Sequence, residues 1–251
     1  EVETENLVSL FLYYDAGSGY QAVVMTEEEA LQESESEGTF TATIPGQAAG
    51  TLVRYYIEAA GTGGAARRFP SEAPAFGRGW RIVDPADTSP LDRDELLLDP
   101  LQLQYFYNFP YDRERQTFGS CILGGVLYDA VRFRLRGKAS RDFAKKNWRV
   151  DFPKSHRLNG LLRRMNYNSD YHDASHVRNA LSMELLGSLG LPVAQTQHVR
   201  MYFNGVYGGV YYRLEHLNTD WLKRLGKSTE NEMYESYHDH TLLGSVEEYK
   251  S

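Results

Sequence analysis

Between positions 132 and 149 the chain carries eight basic residues against the single acid Asp142. Arg132, Arg134 and Arg136 alternate with Val131, Phe133 and Leu135, and Ser140, Arg141, Lys145 and Lys146 follow within ten residues. Guanidinium, ammonium and hydroxyl donors gathered in this way are the groups that hold phosphate or carboxylate. Two later carboxylates, Glu184 and Glu215, could pair with one of the lysines. Other reactive types are sparse. Cys121 is the only cysteine, which excludes a disulfide framework and the Cys-rich zinc sites; with no base beside it in sequence it reads as a small buried hydrophobe. His172 and His176 have i, i+4 spacing but no intervening Glu, so a role at a helix start is favoured over metal binding, and His238 and His240 read as polar loop residues. No metal site is assigned.

The 251 residues have a formal charge of -7, unevenly spread: positions 1–60 hold eleven acids against Arg54 alone. Any anionic ligand therefore belongs to the middle of the chain. The same bases could grip nucleic acid, but no aromatics interleave with the arginines and the total charge is negative, so no nucleic-acid partner is expected. By itself the alternating arginine face reads as a solvated strand face ahead of a ligand contact. Apolar runs are too short for a membrane-spanning helix. The chain starts at Glu1 with neither methionine nor apolar leader, as it would after leader removal or an internal start.

Strand-like runs at 7–14, 20–25, 39–44, 51–60 and 79–83, separated by Gly, Ser and Glu clusters, predict a small antiparallel β-sandwich over residues 1–84. A linker is expected at 85–91, within the Asp- and Pro-rich stretch 84–94, and the second domain at 92–251. Residues 96–107 are apolar without a clean period. In the strand after the arginines, Lys146, Trp148, Val150 and Phe152 share one face, while Lys145, Asn147, Arg149 and Asp151 share the other. Asp173 is a suitable N-cap for a helix to about 189, ended by Gly190. Val177, Leu181 and Leu185 form its predicted buried face, with Glu184 about 20° from Val177 at its edge and in need of a partner. Asn204-Gly205 between two alternating runs predicts a type I′ hairpin, which Glu215 follows directly.

Strand, base-containing loop, lysine strand, helix glutamate, hairpin and a following residue is the order in which protein kinases hold ATP, although no G-x-G-x-x-G is present. The motifs themselves are more specific. Arg136-Gly137-Lys138-Ala139-Ser140-Arg141, then Lys145-Lys146-Asn147-Trp148-Arg149-Val150, resemble the R-G-x-x-S-R and K-K-x-aromatic-R-hydrophobic segments of the CotH (spore-coat protein H) family of atypical kinases. Asp173 with Arg178-Asn179, and Asn204-Gly205-Val206-Tyr207-Gly208-Gly209-Val210-Tyr211 followed by Glu215, resemble that family's later motifs.

The resemblance implies an α+β protein-kinase-like N-lobe behind the sandwich, which is itself similar to immunoglobulin or fibronectin III modules. It implies ATP with Mg or Mn as cofactors and serine phosphorylation of a surface or spore-coat protein, outside the cell or on its surface. Carried over, Ser140 and Arg141 would face the phosphates, Lys146 or Lys145 would contact phosphate oxygens, Glu184 would hold that lysine, and Glu215 would mark the adenine side. The family's catalytic and metal-binding aspartates would lie beyond Ser251, so this chain is expected to be an incomplete kinase fragment. The competing class is a non-catalytic surface adhesion or scaffold module with a pseudokinase lobe.

Overall fold

The computed structural model describes residues 7–27, 38–71, 73–74 and 77–230. Positions 231–237 and 247–249, where a further lobe could begin, and His238 and His240 lie outside the described residues. The first strands are β1 (Leu7–Asp15), β2 (Gln21–Val24), β3 (Thr26–Glu27), β4 (Phe40–Thr41), β5 (Leu52–Gly61), β6 (Ala66–Phe69) and β7 (Arg78–Arg81). Next come β8 (Asp92–Leu98), α1 (Pro100–Asn108), β9 (Thr117–Leu123), β10 (Val126–Leu135), β11 (Trp148–Asp151) and β12 (Arg164–Asn168). The series closes with α2 (Arg178–Ser188), β13 (Thr196–Phe203), β14 (Val206–Glu215) and α3 (Thr219–Arg224).

Seven strands close a ring in the order β8, β9, β10, β11, β12, β14, β13, and back to β8. All pairs are antiparallel except β13 with β8, which is parallel. Closure leaves no free sheet edge and encloses a core that alternate residues fill. Val131, Phe133 and Leu135 of β10, Trp148 and Val150 of β11, Val199 and Met201 of β13 and Leu96 of β8 all point inward and are almost wholly buried. Phe106 of α1 plugs one end, its ring 5.2 Å from Trp148 and nearly perpendicular to it. Asp99 caps α1 by accepting from the backbone N–H groups of Leu101 and Gln102.

This barrel corrects the expected α+β kinase-like N-lobe. The predicted helix forms, but it buries no residue: Leu181 is 62% and Leu185 58% exposed. Because the ring fills its own interior, no helix is needed to cover a sheet face. Asp173 does accept from the N–H of Arg178, yet it stands five residues ahead of the helix and caps it from a turn. Residues 92–98, at the predicted start of the second domain and running into the segment without a period, form a strand buried on both faces. Asp94 points into the barrel, and Glu95, on the other side, is sealed by Arg81 of β7 at 2.6 Å. A strand buried on both faces shows no alternation.

In the front part, β2, β1, β5 and β7 form an antiparallel sheet, with β6 also on β5, and β3 pairs with β4 separately. The sheet continues into the barrel where Trp80 of β7 pairs with Val126 of β10. The predicted Asn204-Gly205 turn is present, with φ of 49° and 85°. Asn204 also donates to and accepts from the backbone of Leu98 through its side-chain amide, which extends the parallel pairing beyond the strand end. Among the described residues no helix is long and apolar enough to cross a membrane.

Two histidines give the fold a pH dependence. His156 stacks 4.6 Å from Tyr128, and His216 lies against Asn166 at 3.1 Å. Burial first, then neighbouring arginines, pushes both down to about 4 from the usual 6.5. The unfolded chain therefore binds more protons between pH 6.5 and 4, so this stabilisation is present above 6.5 and lost as pH falls through that window. Allowing for partial solvent screening, the two together should cost about 1–3 kcal/mol on acidification. Urea midpoints at pH 7.5 and 5.0 should differ more for the native chain than for a His156→Gln, His216→Gln double variant. Equal declines would refute the assignment.

Candidate functional site

The basic loop joins β10 to β11 at one end of the ring. Gly137 has φ +93°, and a Cβ there would fall 2.0 Å from the Ser140 hydroxyl, so the tight approach of the loop to itself requires glycine. Residues Ala139–Asp142 make one 3-10 turn. Ser140 accepts from the Asn147 side-chain amide at 3.1 Å, and the same amide's oxygen accepts from the N–H of Ser169 at 2.7 Å. Arg136 donates to the Asn168 side chain at 2.7 Å. Loop and β12 end are thus cross-linked by short polar side chains.

Lys145 reaches through this cross-link. Its ammonium donates to the carbonyls of Ser169, at 2.9 Å, and Val210, and lies 4.4 Å over the Tyr211 ring. Burial lowers its pKa, and Asp170 opposes that shift. Beside it opens a cavity of about 270 Å³ whose lining includes Phe143, Asn147, Asn168, Asp170, Asp173 and Arg178. Burial raises the pKa of Asp170; one of its oxygens accepts from Asn179 at 2.7 Å and the other is buried without a partner. An orphaned carboxylate oxygen in a polar cavity suits a cation or a ligand donor. Mg²⁺ is commonly held by one or two carboxylates with phosphate oxygens and waters, which the Asp170 side of this cavity fits. Among the described residues no group of three His, Cys, Asp or Glu forms a complete protein cage.

The six residues singled out by the sequence do not meet at one point. Ser140 and Lys145 bond to Asn147 and Ser169, two residues of this cavity's lining. Arg141 is buried and spends its guanidinium on the carbonyls of Gly137, Pro110 and Leu135, at 2.8, 2.7 and 3.0 Å, so it pins the loop and does not face an anion. Lys146, 5% exposed, donates to the carbonyl of Arg141 at 2.6 Å. Its expected partner Glu184 is exposed on α2, where a carboxylate sits in water and needs no lysine. The Lys146–Glu184 pair is therefore not formed. Glu215, 1% exposed, accepts from Arg224 at 2.9 Å and from the N–H of Gln195 at 3.0 Å, and so ties β14 to α3. Cys121 is fully buried, with its thiol pushed up by burial, as its sequence surroundings indicate.

Asn147, Asn168 and Asp170 escape a reading based on charge. Asn147 stands inside the lysine motif and could have been found there; Asn168 and Asp170 carry no periodicity or motif signal, and only strand pairing brings them to the loop.

Comparison with known proteins agrees with the motifs. The family described as CotH kinase protein matches residues 133–250. The inner spore coat protein H of Bacillus subtilis (strain 168) is 35% identical over 91 residues, 36% of this chain and 24% of that protein. The matched stretch thus spans about a quarter of the relative's length. The family match at 133–250 covers the basic loop, the β11 and β12 cross-link and the β13–β14 hairpin, the segments that build the site. Residues 133–250 thus match the CotH family.

Proposed function

We propose that the protein is a CotH-type phosphotransferase that uses ATP with Mg²⁺ or Mn²⁺ to phosphorylate serine in a spore-coat or other surface protein. The observation that carries this reading is a cavity lined by Asn147, Asn168 and Asp170, with one Asp170 carboxylate oxygen buried without a partner and with Arg136, Ser140 and Lys145 hydrogen-bonded to lining residues. Bound nucleotide and metal would supply the transferable phosphoryl group and the charge neutralisation that its transfer needs. Lys145, with one ammonium N–H left after its two carbonyl bonds, would reach phosphate oxygens together with the loop, Asn147 and Asn168 would hold loop and strand in register, and Asp170 would take the metal side. Buried donors already fixed in direction lose little entropy when an anion arrives, which favours positioning. A coat or surface location follows from the same relative.

The test is calorimetric titration of ATP with Mg²⁺ into this chain. Binding is expected, and Lys145→Ala should weaken it at least ~10-fold, about 1.4 kcal/mol. Glu184→Ala should leave affinity unchanged. Absence of binding, or equal affinity in Lys145→Ala, would overturn the reading.

A further inference from the structure

Arg141 and Lys146 are committed to backbone carbonyls, so they are not the chain's available positive charge. That charge lies on the outside of the barrel. Arg132 pairs across the sheet with Asp151, and Asp151 with Arg164; Arg134 pairs with Arg149, and Arg149 with Asn166. Directly paired residues share a sheet face. Val131, Phe133, Val150 and Met165 take the inner face, so Arg132, Arg134, Arg149 and Arg164 share the outer one, with Arg136 at its end.

Among the described residues, the ion pairs of this face converge on a single carboxylate. Asp151 accepts from Arg149 at 2.8 Å and from Arg164 at 3.0 Å, and lies 3.8 Å from Arg132. Arg136 is engaged with Asn168. Two polar atoms here are buried with no partner, Arg134 Nε and Asn166 Oδ1, and Asn166 itself is 3% exposed. Burial, then Arg149, Arg164 and Arg136 against Asp151, lowers the His216 pKa, in keeping with a positive face. Four guanidiniums, of Arg132, Arg134, Arg149 and Arg164, to one carboxylate on three adjacent strands leave, among the described residues, a charge surplus that a single carboxylate ligand would not balance. Strands lie ~4.8 Å apart and alternate residues ~6.8 Å apart, so the forks form a compact lattice suited to bidentate contacts with closely spaced phosphates.

We propose that the outer face of β10, β11 and β12 binds a chain or cluster of phosphates, with Arg132, Arg134 and Arg164 as its donors and Arg149 with Asp151 as their support. The face runs into the candidate site through Arg136 and Asn168. It rests on the phosphotransfer reading only for the source of the phosphates, either a nucleotide's triphosphate or a multiply phosphorylated polypeptide.

The probe is inorganic tripolyphosphate, titrated calorimetrically into the whole chain at fixed salt. Binding is expected, at least ~10-fold weaker in the Arg134→Gln, Arg164→Gln variant and partly restored by lysine at both positions. Arg67→Gln, an exposed arginine on β6 away from both this face and the candidate site, should change nothing, and circular dichroism should show each variant folded. Competition by ATP would identify a nucleotide as the source, and competition by a doubly phosphorylated serine peptide a phosphorylated polypeptide. No binding, unchanged affinity in the double variant, or equally tight binding of a glutamate peptide would overturn the proposal. Arginine-dependent tripolyphosphate binding beside an ATP affinity indifferent to Lys145 would keep this face and sink the phosphotransfer reading. The converse would sink the face alone.

Discussion

Asp94→Ala should destabilise the barrel by ~3–5 kcal/mol, a large part of the 5–15 kcal/mol that a domain typically has. Asp94 is fully buried on β8, where it accepts two bonds from Arg213, at 3.0 and 2.9 Å, and one from the Tyr167 hydroxyl at 2.9 Å. Alanine would leave a guanidinium and a phenol inside the ring with their shared acceptor gone. The cost comes from those orphaned groups, so removing the charge as well should recover part of it. The double variant Asp94→Ala, Arg213→Met should be more stable than Asp94→Ala alone. Equilibrium urea unfolding measures both. A loss below about 1 kcal/mol for the single variant would show that the pair is not the internal brace we describe.

Asp129→Ala is expected to have an effect of similar size by another route. Register slips between Tyr128 and Val131, and Ala130 takes φ 56°, so the bulge turns Asp129 away from the barrel toward the front sheet. There it accepts from Arg54 of β5 at 3.1 Å, from the N–H of Gly77 at 2.9 Å and from the Ser120 hydroxyl. Removing it should cost ~3–5 kcal/mol and uncouple the two parts of the fold. Hydrogen exchange should rise first in β5 and β7, with the β11 and β12 amides slower to respond. Uniform acceleration across both parts would contradict a local coupling role.

Much of the site was legible before any fold was known. The Arg-rich strand, the loop after it, the lysine pair, the Asn-Gly hairpin and the buried thiol all follow from local alternation, turn chemistry and composition, which act over a few residues. The family motifs lie in these same segments. Burial of Trp148 and Val150 on one face of β11 was equally readable, because strand period alone determines it.

Three things were decided only in three dimensions. Ring closure turned the expected sheet with a packed helix into a self-filled barrel. Closure depends on β8 running parallel beside β13, a pairing between segments more than a hundred residues apart that no local pattern encodes. Glu184, which helical spacing places at the edge of an apolar face, stands in water because that face covers nothing among the described residues. The roles of the basic residues were also redistributed: Arg141 and Lys146 lie among backbone carbonyls, while Arg132, Arg134 and Arg164 share the outer face. Charge and spacing tell which residues can hold an anion. Whether a given donor is spent on the protein's own carbonyls or left for a ligand depends on what the fold packs beside it, and that is a property of the tertiary structure alone.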